Sequence, residues 1–133
     1  MRNKFLGTGD AGYHPLRKTK IVLTGLRFAI LHDFSVAYKM VLSSLIIALA
    51  VIFQQWLDFA MILLATGLVL TAELLNSAIE ALCDFLETGE NEKIGAIKDI
   101  AAAAVGISIV VWLTVVVFDV IHLASLLLGR TPV

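Results

Sequence analysis

The sequence contains little cysteine and few charged residues. Its single cysteine, Cys83, excludes an internal disulfide and a zinc-type cysteine cluster. Charged residues make up 16% of the 133 residues, hydrophobic residues make up 59%, and the mean hydropathy is +0.94. Soluble domains carry about 25% charged residues. The sequence also lacks Walker-type and protein-kinase nucleotide signatures. The composition indicates one domain of an integral membrane protein.

Three long apolar stretches follow a polar N-terminal segment, at residues 36–53, 56–86 and 100–118. Each approaches or exceeds the roughly 20 residues that cross a bilayer as a helix. Lipid leaves no partner for an open backbone group, and three segments are too few to close a barrel. The predicted fold class is therefore an all-α membrane protein with three transmembrane helices preceded by an amphipathic surface helix.

Basic residues are concentrated at the N-terminus, where six of the ten Lys and Arg residues precede residue 30. Within residues 15–33 they alternate with apolar residues at helical spacing after Pro15, which is typical of a basic helix on the cytoplasmic membrane surface. The same charges could serve only as a topology signal. The loop before the third stretch carries Lys93 and Lys98, so this loop and the N-terminus are both expected to be cytoplasmic.

A polar stripe interrupts the second apolar stretch in the segment AELLNSAIEALCD, residues 72–84. Its members fall within an arc of about 100° on a helix, so the stripe is expected to face protein or a water-filled pocket. They are Glu73, Asn76, Ser77, Glu80 and Asp84. Acids at such positions are candidate functional residues. Pairing with Lys39 or Lys98 is the structural alternative and could account for one or two of them, while a divalent metal ion could balance the rest.

The third apolar stretch opens on Lys98 and Asp99 at the expected cytoplasmic end. Lys98 could meet a phosphate group there, or it could be only a positive-inside anchor. Carboxylates suited to Mg²⁺, a deeper Glu73 that could take a proton and a lysine placed for phosphate are the parts that phosphoryl transfer requires. Because these residues lie at the membrane surface, the second substrate is expected to be a lipid.

The two segments AELLNSAIEALCD and KDIAAAAV, together with GLR at residues 25–27, closely resemble the prokaryotic diacylglycerol kinase family, which includes undecaprenol kinases. The resemblance covers residues 15–118. It implies a lipid kinase membrane domain over that range. Residues 1–14 and 119–133 have no clear family counterpart and are expected to form a flexible tail and a C-terminal extension. The resemblance also implies a homotrimer of the bacterial inner membrane with MgATP and a lipid alcohol as substrates, a site shared between protomers, and no nucleic-acid partner.

By position, the resemblance makes Glu73 the general base that takes the proton of the alcohol. It makes Glu80 and Asp33 the metal ligands for Mg²⁺. The residues expected to contact or border ATP are Lys98, Asp99, Gly89, Glu90, Asn91 and Arg17. Those expected to line or support the site are Asn76, Ser77, Arg27 and Asp84.

The sequence departs from the family pattern at two positions. Asp33 stands where the family usually has Glu, and Lys39 stands where relatives often carry another acid. Lys39 could neutralise a site carboxylate, or it could extend to the cytoplasmic headgroups. Both departures bear on metal geometry and on the choice between diacylglycerol and undecaprenol. A hypothesis from another class is a small transport or assembly subunit whose buried acids carry protons or cations.

Overall fold

The computed structural model describes residues 15–86, 89 and 91–129, except for the side chain of His32. The predicted N-terminal tail and Glu90 lie outside the described residues. The structure consists of four α-helices. In order they are α1 (Pro15–His32), α2 (Phe34–Ile52), α3 (Trp56–Leu86) and α4 (Glu92–Leu127). Helices α2, α3 and α4 are long and apolar enough to cross a membrane. The predicted all-α fold with three spans after an N-terminal helix is confirmed.

Two compact units divide at residues 33 and 34. The first unit contains α1, which exposes apolar side chains such as Val22 and Phe28 as well as the basic side chains of Arg17 and Arg27. The second unit contains α2, α3 and α4. Helix α4 differs from the predicted third stretch, since it begins eight residues earlier than residue 100 and continues past Phe118. Hydropathy misses its polar first turns, which are helical because Asn91 caps them.

Helix α2 ends in a hydrogen-bonded cap that turns the chain directly into α3. The amide of Gln55 donates to Ala50 O over 2.8 Å and that of Gln54 donates to Val51 O over 3.1 Å. These are the two bonds of a Schellman motif, with Gln54 in the left-handed region at φ 57°. The three-residue connection makes α2 and α3 antiparallel neighbours.

Ser43 joins the three helices at the centre of the bundle. Its side-chain oxygen accepts hydrogen bonds from Thr66 Oγ1 on α3 (2.7 Å) and from Trp112 Nε1 on α4 (2.9 Å). Trp112 is fully buried and packs in an apolar cluster that includes Ile46 and Ile62. A buried indole N–H needs an acceptor, which Ser43 provides.

A second group of ionisable residues lies where α3 begins and α4 ends. His122 Nδ1 lies 2.6 Å from Asp58 Oδ2, and Asp119, about one turn before His122 on α4, is buried. Among the described residues Asp119 Oδ2 has no hydrogen-bond partner. The sequence analysis did not identify this group. The available signal was Asp58 at the start of the second apolar stretch and Asp119 with His122 just after the third.

We expect Ser43→Ala to lower the free energy of unfolding by about 1–3 kcal/mol, because Trp112 Nε1 and Thr66 Oγ1 lose their acceptor in a buried site. Ser44→Ala is the matched control. Ser44 is exposed and its hydroxyl bonds only to Met40 O of its own helix, so its loss should stay within about 0.5 kcal/mol. Denaturation in mild detergent, followed by tryptophan fluorescence, measures both. Equal losses would contradict the role of Ser43.

We expect Asp119→Asn to raise the free energy of unfolding by about 1 kcal/mol, because it replaces a buried carboxylate that lacks a donor at Oδ2 with a neutral amide. Asp58→Asn is the comparison and should be destabilising, since it weakens the pair with His122. The same detergent denaturation applies. If Asp119→Asn destabilises the protein as much as Asp58→Asn does, the carboxylate has a favourable partner and the interpretation is wrong.

Candidate active site

The polar stripe lies at the end of the bundle opposite to Asp58 and His122. Consecutive helices are antiparallel, because Lys39 and Ser43 of α2 contact Glu73 and Thr66 of α3, and Lys98 and His122 of α4 contact Asp84 and Asp58 of α3. The start of α2, the second half of α3 and the start of α4 therefore share one end. Three layers of polar contacts follow one another there along α3, at Glu73, Glu80 and Asp84.

The innermost layer is a buried ion pair between α2 and α3. Lys39 Nζ lies 2.6 Å from Glu73 Oε1, and Ser35 Oγ donates to the same oxygen over 2.7 Å. Lys39 is 0% exposed and Glu73 is 6% exposed. The lysine also reaches back one turn toward the start of its helix, where Nζ donates to Ser35 O over 3.3 Å. Lys39 thus neutralises a site carboxylate, which is one of the two roles considered from the sequence.

The middle layer joins two residues on the same helix. Asn76 Nδ2 donates to Glu80 Oε1 over 2.8 Å, one turn further along α3. Glu80 is exposed and lies about 10 Å beyond Glu73 along the axis. Among the described residues, Asn76 Oδ1 is buried without a hydrogen-bond partner. The amide therefore orients one oxygen of Glu80 and leaves the carboxylate accessible.

The outermost layer is a more exposed ion pair between α3 and α4. Lys98 Nζ contacts Asp84 Oδ1, with side-chain exposures of 36% and 68%. Exposed pairs contribute little to stability, so this ammonium can exchange its partner at low cost. Asp99 is exposed and lies about 100° around α4 from Lys98. Lys98 is thus held toward the stripe, whereas Asp99 lies on a different side of α4.

The stripe carboxylates differ in their partners. Glu73 pairs with Lys39 and Asp84 pairs with Lys98, so the structural alternative considered from the sequence accounts for these two acids. In the described part of the chain, Glu80 has an amide partner in place of a cation. Glu80 is consequently the stripe carboxylate best suited to a metal ion.

The side chains of the site offer Mg²⁺ few protein ligands. Among residues 15–86, 89 and 91–129, no group of three or more His, Cys, Asp or Glu side chains is placed to hold a metal ion. Mg²⁺ commonly takes only one or two carboxylates, together with water and substrate phosphates. An exposed Glu80 carboxylate oriented by Asn76 fits such a site, in which a nucleotide supplies the other ligands.

The remaining candidates of the second unit lie on α3 and around the start of α4. Ser77 is exposed on α3, and Gly89 is exposed in the connection between α3 and α4. Asn91 caps α4, where its Oδ1 accepts from Lys93 N over 3.0 Å. Three further candidates belong to the first unit. Arg17 and Arg27 are exposed on α1, and Asp33 follows it, with its amide donating to Ala29 O over 2.8 Å.

Comparisons with known proteins match the part of the chain that contains the three polar layers. A sequence model of the prokaryotic diacylglycerol kinase family matches residues 20–120. The diacylglycerol kinase of Escherichia coli (strain K12) is 39% identical over 70 residues, which are 49% of this chain and 57% of that protein. The diacylglycerol kinase of Haemophilus influenzae is 29% identical over 104 residues, which are 74% of this chain and 88% of that protein.

The match with the Escherichia coli relative thus spans little more than half of that protein's length. The family match is wider, since it runs from within α1 into the last part of α4 and includes every residue of the three polar layers. The chain belongs to the prokaryotic diacylglycerol kinase family.

Proposed function

We propose that this protein is an integral membrane lipid kinase that transfers the γ-phosphate of MgATP to a lipid alcohol. The observation that carries the proposal is the order of the three carboxylates along α3, from the buried Glu73 to the exposed Glu80 and Asp84. A lipid hydroxyl approaches from the apolar side and a nucleotide approaches from water. The buried Glu73 therefore suits a proton acceptor on the apolar side, and the exposed residues suit ligands for metal and phosphate on the aqueous side.

Glu73 acts as the general base in this proposal. Its carboxylate takes the proton of the lipid hydroxyl, and the alcohol oxygen forms a bond to the γ-phosphorus. The bond between that phosphorus and the bridging oxygen of ADP breaks, and ADP leaves with the electron pair. A buried position favours this role because water is excluded from the attacking oxygen.

The exposed layers would hold the nucleotide. Lys98 would exchange Asp84 for a phosphate oxygen, and Asp84 would orient the ammonium before ATP binds. Glu80 would hold Mg²⁺, which neutralises the charge that develops on the phosphates. Asp33 is proposed as a metal ligand from its family position alone. The remaining proposed contacts follow the family positions. They are Asp99, Gly89, Glu90, Asn91 and Arg17 for ATP, and Asn76, Ser77 and Arg27 for the site lining.

Diacylglycerol is the proposed acceptor, giving phosphatidic acid, and undecaprenol is the alternative. Family membership and the names of the relatives support this order. The proposed setting is the bacterial inner membrane, with a cytoplasmic N-terminus and a homotrimer as the active form. The basic N-terminal residues support the orientation, because positive segments remain in the cytoplasm.

A transport subunit is the competing proposal, and the core between the two ionisable groups argues against it. Ile46, Ile62 and Val69 are at most 2% exposed and lie between Glu73 and Asp58 along the bundle. A path for protons or cations through this bundle would need polar groups or water at that level. Ser43 and Thr66 are polar there, but their hydroxyls bond to each other.

The variants Glu73→Gln and Glu80→Gln test the division of roles. We expect Glu73→Gln to lower turnover by at least about 100-fold, the lower range for losing a general base, with MgATP binding retained. Glu80→Gln should weaken Mg²⁺-dependent nucleotide binding as well as turnover. Equilibrium binding of MgATP and initial rates of lipid phosphorylation in mixed micelles measure the two effects separately.

Glu92→Gln is the matched control for these variants. It removes an exposed carboxylate in the first turn of α4, outside the three polar layers, and should leave turnover and binding unchanged. Normal lipid phosphorylation by both Glu73→Gln and Glu80→Gln would disprove the proposed roles.

A further inference from the structure

Lys39 is the feature of the site that the proposed reaction does not use. We propose that Lys39 is a positioning residue, which together with Ser35 holds Glu73 by Oε1 so that Oε2 receives the proton of the lipid alcohol. This inference rests on the proposed function, since it assigns a role within that active site.

The hydrogen bonds of Lys39 assign it to Glu73 and not to the nucleotide. An ammonium group has three N–H donors. Lys39 Nζ has three acceptors within reach, namely Glu73 Oε1, Ser35 Oγ and Ser35 O. All of its donors are therefore engaged inside the bundle. The side chain is 0% exposed, so a phosphate could reach it only if these bonds were broken.

The two oxygens of Glu73 are not equivalent in this arrangement. Lys39 Nζ and Ser35 Oγ both donate to Oε1, at 2.6 and 2.7 Å. Ser35 also accepts from Lys39, so the three groups form a closed triangle. An oxygen that already accepts two hydrogen bonds, one of them from a cation, is the poorer acceptor for a further proton. The alcohol proton accordingly goes to Oε2.

The charge of Lys39 supports the same role. A buried carboxylate is costly unless a group of opposite charge lies beside it. Lys39 supplies that charge from the neighbouring helix, and its ammonium also lies 4.8 Å from the centre of the Tyr38 ring. The lysine thus compensates the charge of Glu73 and holds its carboxylate in place.

A double-mutant cycle between Lys39 and Glu73 tests the inference. We expect Lys39→Met to lower the turnover of folded protein by about 100-fold, the scale of a misplaced reacting group. The KM for MgATP should stay within about twofold, because Lys39 does not contact the nucleotide. In a Glu73→Gln background, Lys39→Met should change the residual turnover by no more than about twofold, since its partner is already lost.

Ser35→Ala provides a second test if Lys39→Met folds poorly. It removes one donor to Oε1 and should lower turnover in the same direction but by less, again only when Glu73 is present. Ser44→Ala, on the exposed face of the same helix, is the matched control and should have wild-type turnover.

An equal fold loss from Lys39→Met in both backgrounds would overturn the inference, because it would show a general structural effect. A raised KM for MgATP with unchanged turnover would also overturn it and would make Lys39 a nucleotide contact. Phosphorylated lipid formed by the wild type shows that the proposed function holds, so that the effects of the variants can then be assigned to Lys39. A folded wild type that forms none would refute both proposals.

Discussion

The buried pair between Lys39 and Glu73 is the interaction on which the arrangement of the site depends. Two charges taken out of water are costly unless they meet with good geometry, and removing one partner of such a pair is strongly destabilising. The pair therefore determines the axial register of α2 against α3. Most of the other contacts between these helices are apolar and would tolerate small shifts. The same constraint places a carboxylate at a defined depth in the bundle.

Burial decreases in steps from this pair toward the nearer end of α3. Glu73 is almost fully buried, Glu80 is exposed but oriented by Asn76, and Asp84 is exposed beside Lys98. The proposed lipid acceptor and the proposed nucleotide need opposite surroundings, and α3 provides both along about 16 Å. The departure at Lys39 belongs to the inner, apolar side of this gradient, where the proposed base Glu73 lies.

Much of this architecture could be predicted from the sequence, because a bilayer leaves few alternatives to helices for long apolar segments. Helix α3 was predicted at residues 56–86, and helical periodicity placed the stripe on one face. The partners could not be derived in this way. The sequence left two roles open for Lys39, and it did not reveal the pair of Asp58 with His122. Contacts between helices depend on the rotation of each helix and on its axial register against its neighbour, and periodicity within one helix determines neither.

The central claim is that this membrane bundle phosphorylates a lipid, and the most direct measurement is transfer of labelled γ-phosphate from MgATP by the purified protein. Diacylglycerol and undecaprenol would be offered separately in mixed micelles, and the labelled lipid product would be separated and identified. The account predicts labelled phosphatidic acid from diacylglycerol, in larger amount than the product from undecaprenol. No labelled lipid from either acceptor, with folded protein and Mg²⁺ present, would contradict it.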